Sequence, residues 1–421
     1  MHPGLADYIP DSQDLNVIIV SFDALRADAL GVYGSTSGAS PNLDALAKNA
    51  LVFDNAYSAA QATPTSFASI FTGKLPFRVF RGWNLLAGMT IASLFQAHGY
   101  RTGAVMNNSQ ITAARGFGAG FDHYNVVHLE DEAVLEVGKD WIVQNHDRPF
   151  FFWLHFISPH TPYVAREMAA QFYTPGYTGR FERTSGARPK VNSDADLARL
   201  MELYTGEVFY ADHLFGGLWA QLDDLGLVEN TIVIVTADHG EAHQEHGRMG
   251  HSQVYEPVIR VPLIFYHPQQ KPRGVRTDVP YLNTDLLPTL ASAFGWEVLH
   301  AIDGMNLREP TFVNRPLIST AMTNKKYRSM SVRVANHKLV MDCPPEEYVE
   351  ELFDLVEDPA EEINLILDRP EIASKLFDLA MAVSGGSDPC VIIRQAQAGK
   401  NIAEDLDEEL IADLRSLGYI Q

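Results

Sequence analysis

Two segments of one design, more than two hundred residues apart, limit the fold most strongly. "NVIIVSFD" (16–23) carries four consecutive β-branched apolar residues, Val17 to Val20, and reads as a buried strand ending near Asp23. "NTIVIVTADHGE" (230–241) repeats the pattern, with acidic and imidazole groups at the carboxyl end of its strand. Between them, helical and strand-like segments alternate. "SPNLDALAKNA" predicts a helix with Ser40 as cap and Pro41 in its first turn, and "LVFDNAYS" predicts a short strand. A helix is expected across 64–71 and in "MTIASLFQAHG", and a strand in "RTGAVMNN". "RPFFFWLHFISPH" (148–160) has the apolar run of a strand buried on both faces, and the segment 197–226 has helical spacing ending at Gly226. This alternation predicts an α/β fold with a large, mostly parallel, doubly wound sheet flanked by helices.

The rhythm breaks twice. Residues 164–194 are polar and contain Gly, Pro and basic side chains, as expected for a flap or surface excursion. After about residue 315, "YRSMSVRVANHKLVMDC" and "EELFDLVEDPAEEINLI" predict a small antiparallel sheet with helices. The expected division is therefore a catalytic α/β domain over 1–315 and a smaller α+β domain over 316–421.

A formal charge of −21 over 421 residues argues against nucleic acid, whose phosphates are bound by clustered Lys and Arg. It leaves a small anionic substrate open, because a cation and local dipoles can reverse the field inside a cleft. The two cysteines, Cys343 and Cys390, lack the spacing of a zinc site or redox pair, and no reliance on a disulfide framework is expected. No leader-like or bilayer-length apolar stretch is read, so a soluble, cytoplasmic protein without a membrane partner is expected. Oligomeric state is left open.

In open α/β sheets, ligands bind beyond the carboxyl ends of the strands. Asp23 and the pair Asp238–His239 lie there, a donor set suited to a hard or borderline divalent cation. The plainer alternative makes each aspartate a helix N-cap. Thr63, before Pro64 in "TPTSFASIF", is expected at a helix N-cap, where free N–H groups and the dipole favour an anion. By itself it is a cap or turn residue; beside a cation it becomes a candidate nucleophile. His160 in "SPHTPY" and His251 in "HGRMGHS" follow predicted strands and are placed to hold substrate oxygens or protonate a leaving group. His155, His243 and His246 read as core or surface histidines. Arg78, Arg81 and Trp83 read either as leaving-group contacts or as ordinary surface residues.

The order of these landmarks resembles the sulfatase family within the alkaline phosphatase superfamily. The likeness runs through "VIIVSFDALRADALGVYG", "SPNLDALAKNALVFDNAYS", "TPTSFASIFTGKLP", "YRTGAVMNN", "GFGAGFDHY", "SPHTPY", "TIVIVTADHGEAHQEHGRMGHS", "IRVPLIFY", "NTDLLPTLASAFG", "DGMNL", "LFDLVEDPAEEINL" and "LRSLGYI". The resemblance implies one divalent metal (Mn, Mg, Ca or Zn) held by Asp23, Asp238 and His239, with Thr63 as nucleophile and fourth protein ligand. It also implies that His160, His251 and Asn107 or Asn108 contact substrate oxygens.

Several positions depart from the family pattern. Ala24 stands where a second Asp is common, His239 where Asn is common, and His251 and Asn107 where lysines are usual. Thr63 replaces the Cys or Ser that becomes formylglycine, Pro64 is displaced, and Phe67 occupies the place of the signal's Arg. Oxidised threonine would be a ketone, not the aldehyde whose hydrate attacks sulfate. The cue for a second zinc, Asp212 with a His four residues on, ends at Gly216. The expected activity is metal-dependent hydrolysis of phosphate or phosphonate mono- or diesters through Thr63. The alternatives are a sulfuric ester hydrolase working without formylglycine and a non-catalytic metal- or ligand-binding homologue.

Overall fold

A computed structural model of the protein describes residues 4–128, 130–181, 191–310, 315–322, 328–343 and 348–397. The β-branched run at 17–20 forms the centre of β1 (Asn16–Phe22), every residue of which is buried. Branched side chains favour this because they lose little rotamer freedom in a pleated, two-sided environment. The other strands of the main sheet are β2 (Leu51–Phe53), β3 (Arg101–Met106), β4 (His123–Val126), β5 (Phe150–Phe156), β6 (Thr231–Ala237), β7 (Leu263–Tyr266) and β8 (Val275–Thr277). Their order is β8-β2-β7-β6-β1-β5-β3-β4. β1 pairs in parallel with β5 and β6, and β3 in parallel with β4 and β5. β7 runs antiparallel to both of its neighbours, β6 and β2.

Helices cover both faces. α1 (Pro41–Ala47), α4 (Asp131–Asn145) and α5 (Asp194–Asp224) pack on one side; α2 (Thr63–Thr72), α3 (Ile91–Ala97) and α6 (Leu286–Ala293) pack on the other. Ser40 takes the N-cap position of α1 as expected, but its hydroxyl does not bond the first turn: it accepts from Gly31 N–H and donates to Asp44. The carboxylate of Asp212, from the middle of α5, accepts the N–H groups of Asn42 and Leu43 instead. The capping group thus arrives from a distant helix, which local sequence cannot disclose. Within the 164–194 excursion, Glu167–Phe172 forms a 3-10 turn and Ser193 caps α5, while part of the segment, 182–190, lies outside the described residues.

Four strands, β9 (Leu317–Ala321), β10 (Ser329–Val334), β11 (His337–Asp342) and β12 (Val349–Asp354), form a sequential antiparallel sheet. Two helices, α7 (Pro370–Val383) and α8 (Pro389–Gln397), pack on it. Cys343 and Cys390 are joined by a disulfide across 47 residues of sequence, correcting the expectation drawn from their spacing. The pairing follows from the return of α8 onto this sheet, a tertiary event that spacing does not encode. The small sheet also supports the candidate site. Thr320 of β9 bridges to Ala60, and Ser319 donates to the Ser58 carbonyl at 2.6 Å, fixing the loop that delivers α2. No helix among the described residues is long and apolar enough to cross a membrane.

Candidate active site

The register of β1 against β6 pairs Phe22 with Ala237, so the next residues, Asp23 and Asp238, emerge side by side at the sheet's rim. Both are fully buried, as is His239. Neither aspartate caps a helix. Asp238 Oδ1 accepts the N–H groups of His239 (2.8 Å) and Ala24 (3.2 Å), the latter in a left-handed conformation with φ 60°. Asp23 Oδ2 accepts from Asn108 Nδ2 (2.9 Å) and from Thr63 Oγ1 (3.2 Å). His239 Nδ1 donates to the Gly240 carbonyl at 2.9 Å, which leaves Nε2 as the basic nitrogen.

Three atoms remain without a hydrogen-bond partner: Asp23 Oδ1, Asp238 Oδ2 and His239 Nε2. His239 Nε2 lies 3.5 Å from each of the other two. Buried carboxylate oxygens left in this state are costly unless a cation joins them. Burial, reinforced by the charge of Asp23, pushes the Asp238 carboxyl up. Burial also opposes ionisation of Asp23, but neighbouring His160, His155 and His239, when their rings carry a proton, outweigh it and hold that carboxyl well below the usual range. The donor set therefore fits a divalent ion held by two carboxylates and one imidazole.

Thr63 is not the helix cap. Ala62, in extended conformation, takes that position, and Thr63 is the first helical residue, followed by Pro64. The hydroxyl points instead to Asp23 and also stands within bonding reach of Asp238. Its neighbours are committed elsewhere: Thr65 donates to the Ala62 carbonyl and Ser66 to the Asp238 carbonyl. Phe67 is buried against Trp153 (4.5 Å between centroids) and His155 (4.9 Å). Its burial stabilises the site by about 1.5–3 kcal/mol, in a place that could not solvate an arginine.

His160 follows β5 on a turn whose Ile157 and Ser158 N–H groups are held by the Asp131 carboxylate at 3.0 and 2.8 Å. Its Nε2 lies 3.3 Å from Nε2 of His251, whose ring stacks on His239 at 4.2 Å between centroids. Burial, with the adjoining His239 and His160 rings, depresses the His251 imidazole well below its ordinary range. Of the two asparagines, Asn108 enters the cluster. Asn107 is half-buried and bonds through its backbone to the His155 carbonyl. Its side chain has no hydrogen bond to the cluster among the described residues.

Two residues escaped the sequence reading. His155, set aside as a core or surface histidine, is core and also adjoins the site, its Nε2 3.8 Å from Asp23 Oδ2 and its Nδ1 3.0 Å from Ser21 Oγ. Its place one residue before the end of β5 was the available signal. Glu241, buried three residues after Asp238, groups with His160 and His251. His243 is buried and pairs with Tyr163, and His246 stacks on Tyr255. Arg78 pairs with Asp303, Arg81 bonds the Phe77 and Phe80 carbonyls, and Trp83 stacks under Arg115. All three have structural duties.

The chain as a whole has relatives. Residues 15–296 match the sequence model of the Sulfatase family. The chain is 26% identical to the ulvan-active sulfatase of Formosa agariphila, in an alignment covering 85% of this chain and 78% of that one. Among solved structures, the phosphonate monoester hydrolase of Agrobacterium radiobacter superposes with a TM-score of 0.74 at 19% identity, covering 88% and 95% of the two chains. A protein solved with its substrate D-glucosamine-2-N,6-O-disulfate superposes with a TM-score of 0.75 at 19% identity, covering 90% and 99%. The chain belongs to the sulfatase family of the alkaline phosphatase superfamily, and it is an ester hydrolase of that family. Members of the family generally bind a divalent metal ion.

Proposed function

We propose that the protein hydrolyses phosphate or phosphonate esters through Thr63. The observation that carries this reading is the hydroxyl of Thr63, 3.2 Å from Asp23, beside three inward ligand-type atoms that have no hydrogen-bond partner. Asp23, Asp238 and His239, with Thr63 as the fourth ligand, would hold one divalent ion, which when bound acidifies the hydroxyl and offsets charge on the ester. Thr63 Oγ1 attacks phosphorus in line, its proton leaves to solvent or base, and the bond to the leaving oxygen breaks. Water then cleaves the resulting phosphothreonine, returning the hydroxyl. Asn108 orients Asp23, and His160 and His251 face the substrate oxygens and the leaving group.

A second reading, sulfuric ester hydrolysis without an aldehyde, is favoured by the relatives that are sulfatases. It is weaker because a threonine-bound sulfate lacks the elimination route of an aldehyde hydrate. The test compares nitrophenyl phosphate, a phosphonate monoester and nitrophenyl sulfate, each with Mn²⁺ or Ca²⁺, for wild type and Thr63→Ala. We expect phosphorus esters to be preferred, with turnover falling at least about a thousandfold in the variant. Equal rates in both proteins would move the nucleophile elsewhere, and turnover of sulfate alone would select the second reading.

A further inference from the structure

Away from the rim, the register of the small sheet gathers two arginines at its seam with the main sheet. Leu317 of β9 lies opposite Arg333 of β10, so their side chains share a face. Arg315, two residues before Leu317, continues that face. With Asn55, which follows β2, and Asn336 in the turn after β10, these residues line a cavity of about 140 Å³. None of them belongs to the rim site. A water needs about 10–15 Å³ of such space, and drug-sized ligands occupy about 300–1,000 Å³. A cavity between those limits suits a small polyatomic ion.

The charges of the lining decide the sign of that ion. The Arg315 side chain is only 6% exposed, and its Nη2 donates to Asp285 Oδ2 at 2.5 Å. Its Nε and Nη1 have no hydrogen-bond partner among the described residues. The Asp285 carboxylate is shared, since it also accepts the N–H groups of Leu282 and Met305 at 2.8 Å. Arg333 donates through Nε to the Ala335 carbonyl (3.0 Å) and through Nη2 to Asn55 Oδ1 (3.4 Å), both uncharged acceptors. Its Nη1 has no partner among the described residues, and the Glu256 oxygen 3.9 Å away is already bonded by Tyr57. Burial accordingly pushes the Arg333 guanidinium down to about 10. Asp278, the acidic residue of the lining, is exposed, so water screens its charge. Buried guanidinium groups in this state are costly unless an anion completes them, and their planar forks match the oxygens of phosphate or sulfate. We infer that Arg315 and Arg333 form a binding site for a small tetrahedral oxyanion, phosphate or sulfate, which fastens the small sheet to the loop after β2. The site stands apart from the hydrolase reading.

The test titrates the full chain with inorganic phosphate, and separately with sulfate, by isothermal calorimetry at constant ionic strength. Chelator treatment and dialysis against sodium chloride come first, so that the rim offers anions only carboxylates. Wild type should take up one equivalent of either ion. Arg315→Gln and Arg333→Gln should each weaken uptake at least about tenfold. Arg333→Lys, which keeps the charge and loses the fork, should weaken it as well. Arg315→Gln also cuts a buried ion pair, so melting curves without added anion show which variants fold, and the Arg333 variants decide if it does not. Failure of wild type to bind either ion would overturn the site and leave the two arginines as struts around water. Uptake that persists undiminished in both Arg333 variants would overturn it too, by placing the ion elsewhere. The assay involves no turnover, so failure of the hydrolase reading would leave its outcome unchanged.

Discussion

The protein buries two clusters of acidic side chains, and they are neutralised in opposite ways. Where the small sheet meets the hairpin region, Lys338 of β11 is fully buried, with Nζ 3.1 Å from Glu256 Oε1 and 2.7 Å from Glu361 Oε1. Tyr57 and the backbone N–H of Glu256 occupy further carboxylate oxygens. At the rim of the main sheet, Asp23 and Asp238 lie together with imidazoles, and no lysine or arginine bonds to them among the described residues. The first cluster carries its own counter-charge and acts as a strut. The second keeps ligand atoms unpartnered, which a fold tolerates where an outside ion completes them.

The largest effect expected from this contrast is on folding. Lys338→Met strands the buried Glu361 carboxylate and the partly buried Glu256 carboxylate, and should cost about 3–5 kcal/mol by urea denaturation. Asp238→Asn removes one of two adjoining carboxylates, so the metal-free variant should be no less stable than metal-free wild type. A loss there as large as that of Lys338→Met would erase the distinction between the clusters.

The strut also sets a pH dependence. Burial pushes the Glu361 carboxyl up to about 7, although Lys338 pulls against it. The folded state then holds a proton that the unfolded chain releases near pH 4.5. This contribution is fully present below about pH 4.5 and is lost as pH rises through about 7. The stability of wild type relative to Glu361→Gln should fall by up to about 3 kcal/mol across that window. A flat difference would mean that the ammonium of Lys338 keeps Glu361 ionised throughout.

The rim cluster should respond to ions where the strut does not. At a concentration 100 times its dissociation constant, a divalent ion binding only the folded state stabilises by about 2.7 kcal/mol. The rise in melting temperature should appear in wild type and in Lys338→Arg, and vanish in Asp238→Asn. A rise of equal size in Asp238→Asn would place the ion elsewhere.

How much of this was legible follows from the range of each signal. Asp23, Asp238 and His239 were readable because β-branched runs reveal their strands, and strand ends locate a rim. Thr63 was readable as a candidate but misplaced by one position, since the start of a helix depends on backbone angles at Ala62. Glu241 was hidden because its place beside His251 arises from the antiparallel pairing of Ala242–His243 with Met249–Gly250. His155 was hidden because a histidine within an apolar run looks like packing, and it also packs. The capping of α1 by Asp212 and the disulfide between Cys343 and Cys390 are long-range closures that local patterns cannot report.

A third charged contact tests whether burial, rather than charge pairing as such, separates the two clusters. Arg78, just after α2, lies 2.5 Å from Asp303 with 45% of its side chain exposed, and donates to the Val383 carbonyl at the end of α7. Water solvates such a guanidinium almost as well as its partners do, so the pair gains little and strands little when cut. Arg78→Ala should therefore cost about 1 kcal/mol or less, well below the loss in Lys338→Met. It should also leave kcat/KM within about twofold of wild type, because the side chain faces the Asp303 loop and the end of α7. A tenfold fall in kcat/KM with stability unchanged would restore the leaving-group role that sequence allowed, and would extend the functional surface beyond the buried rim.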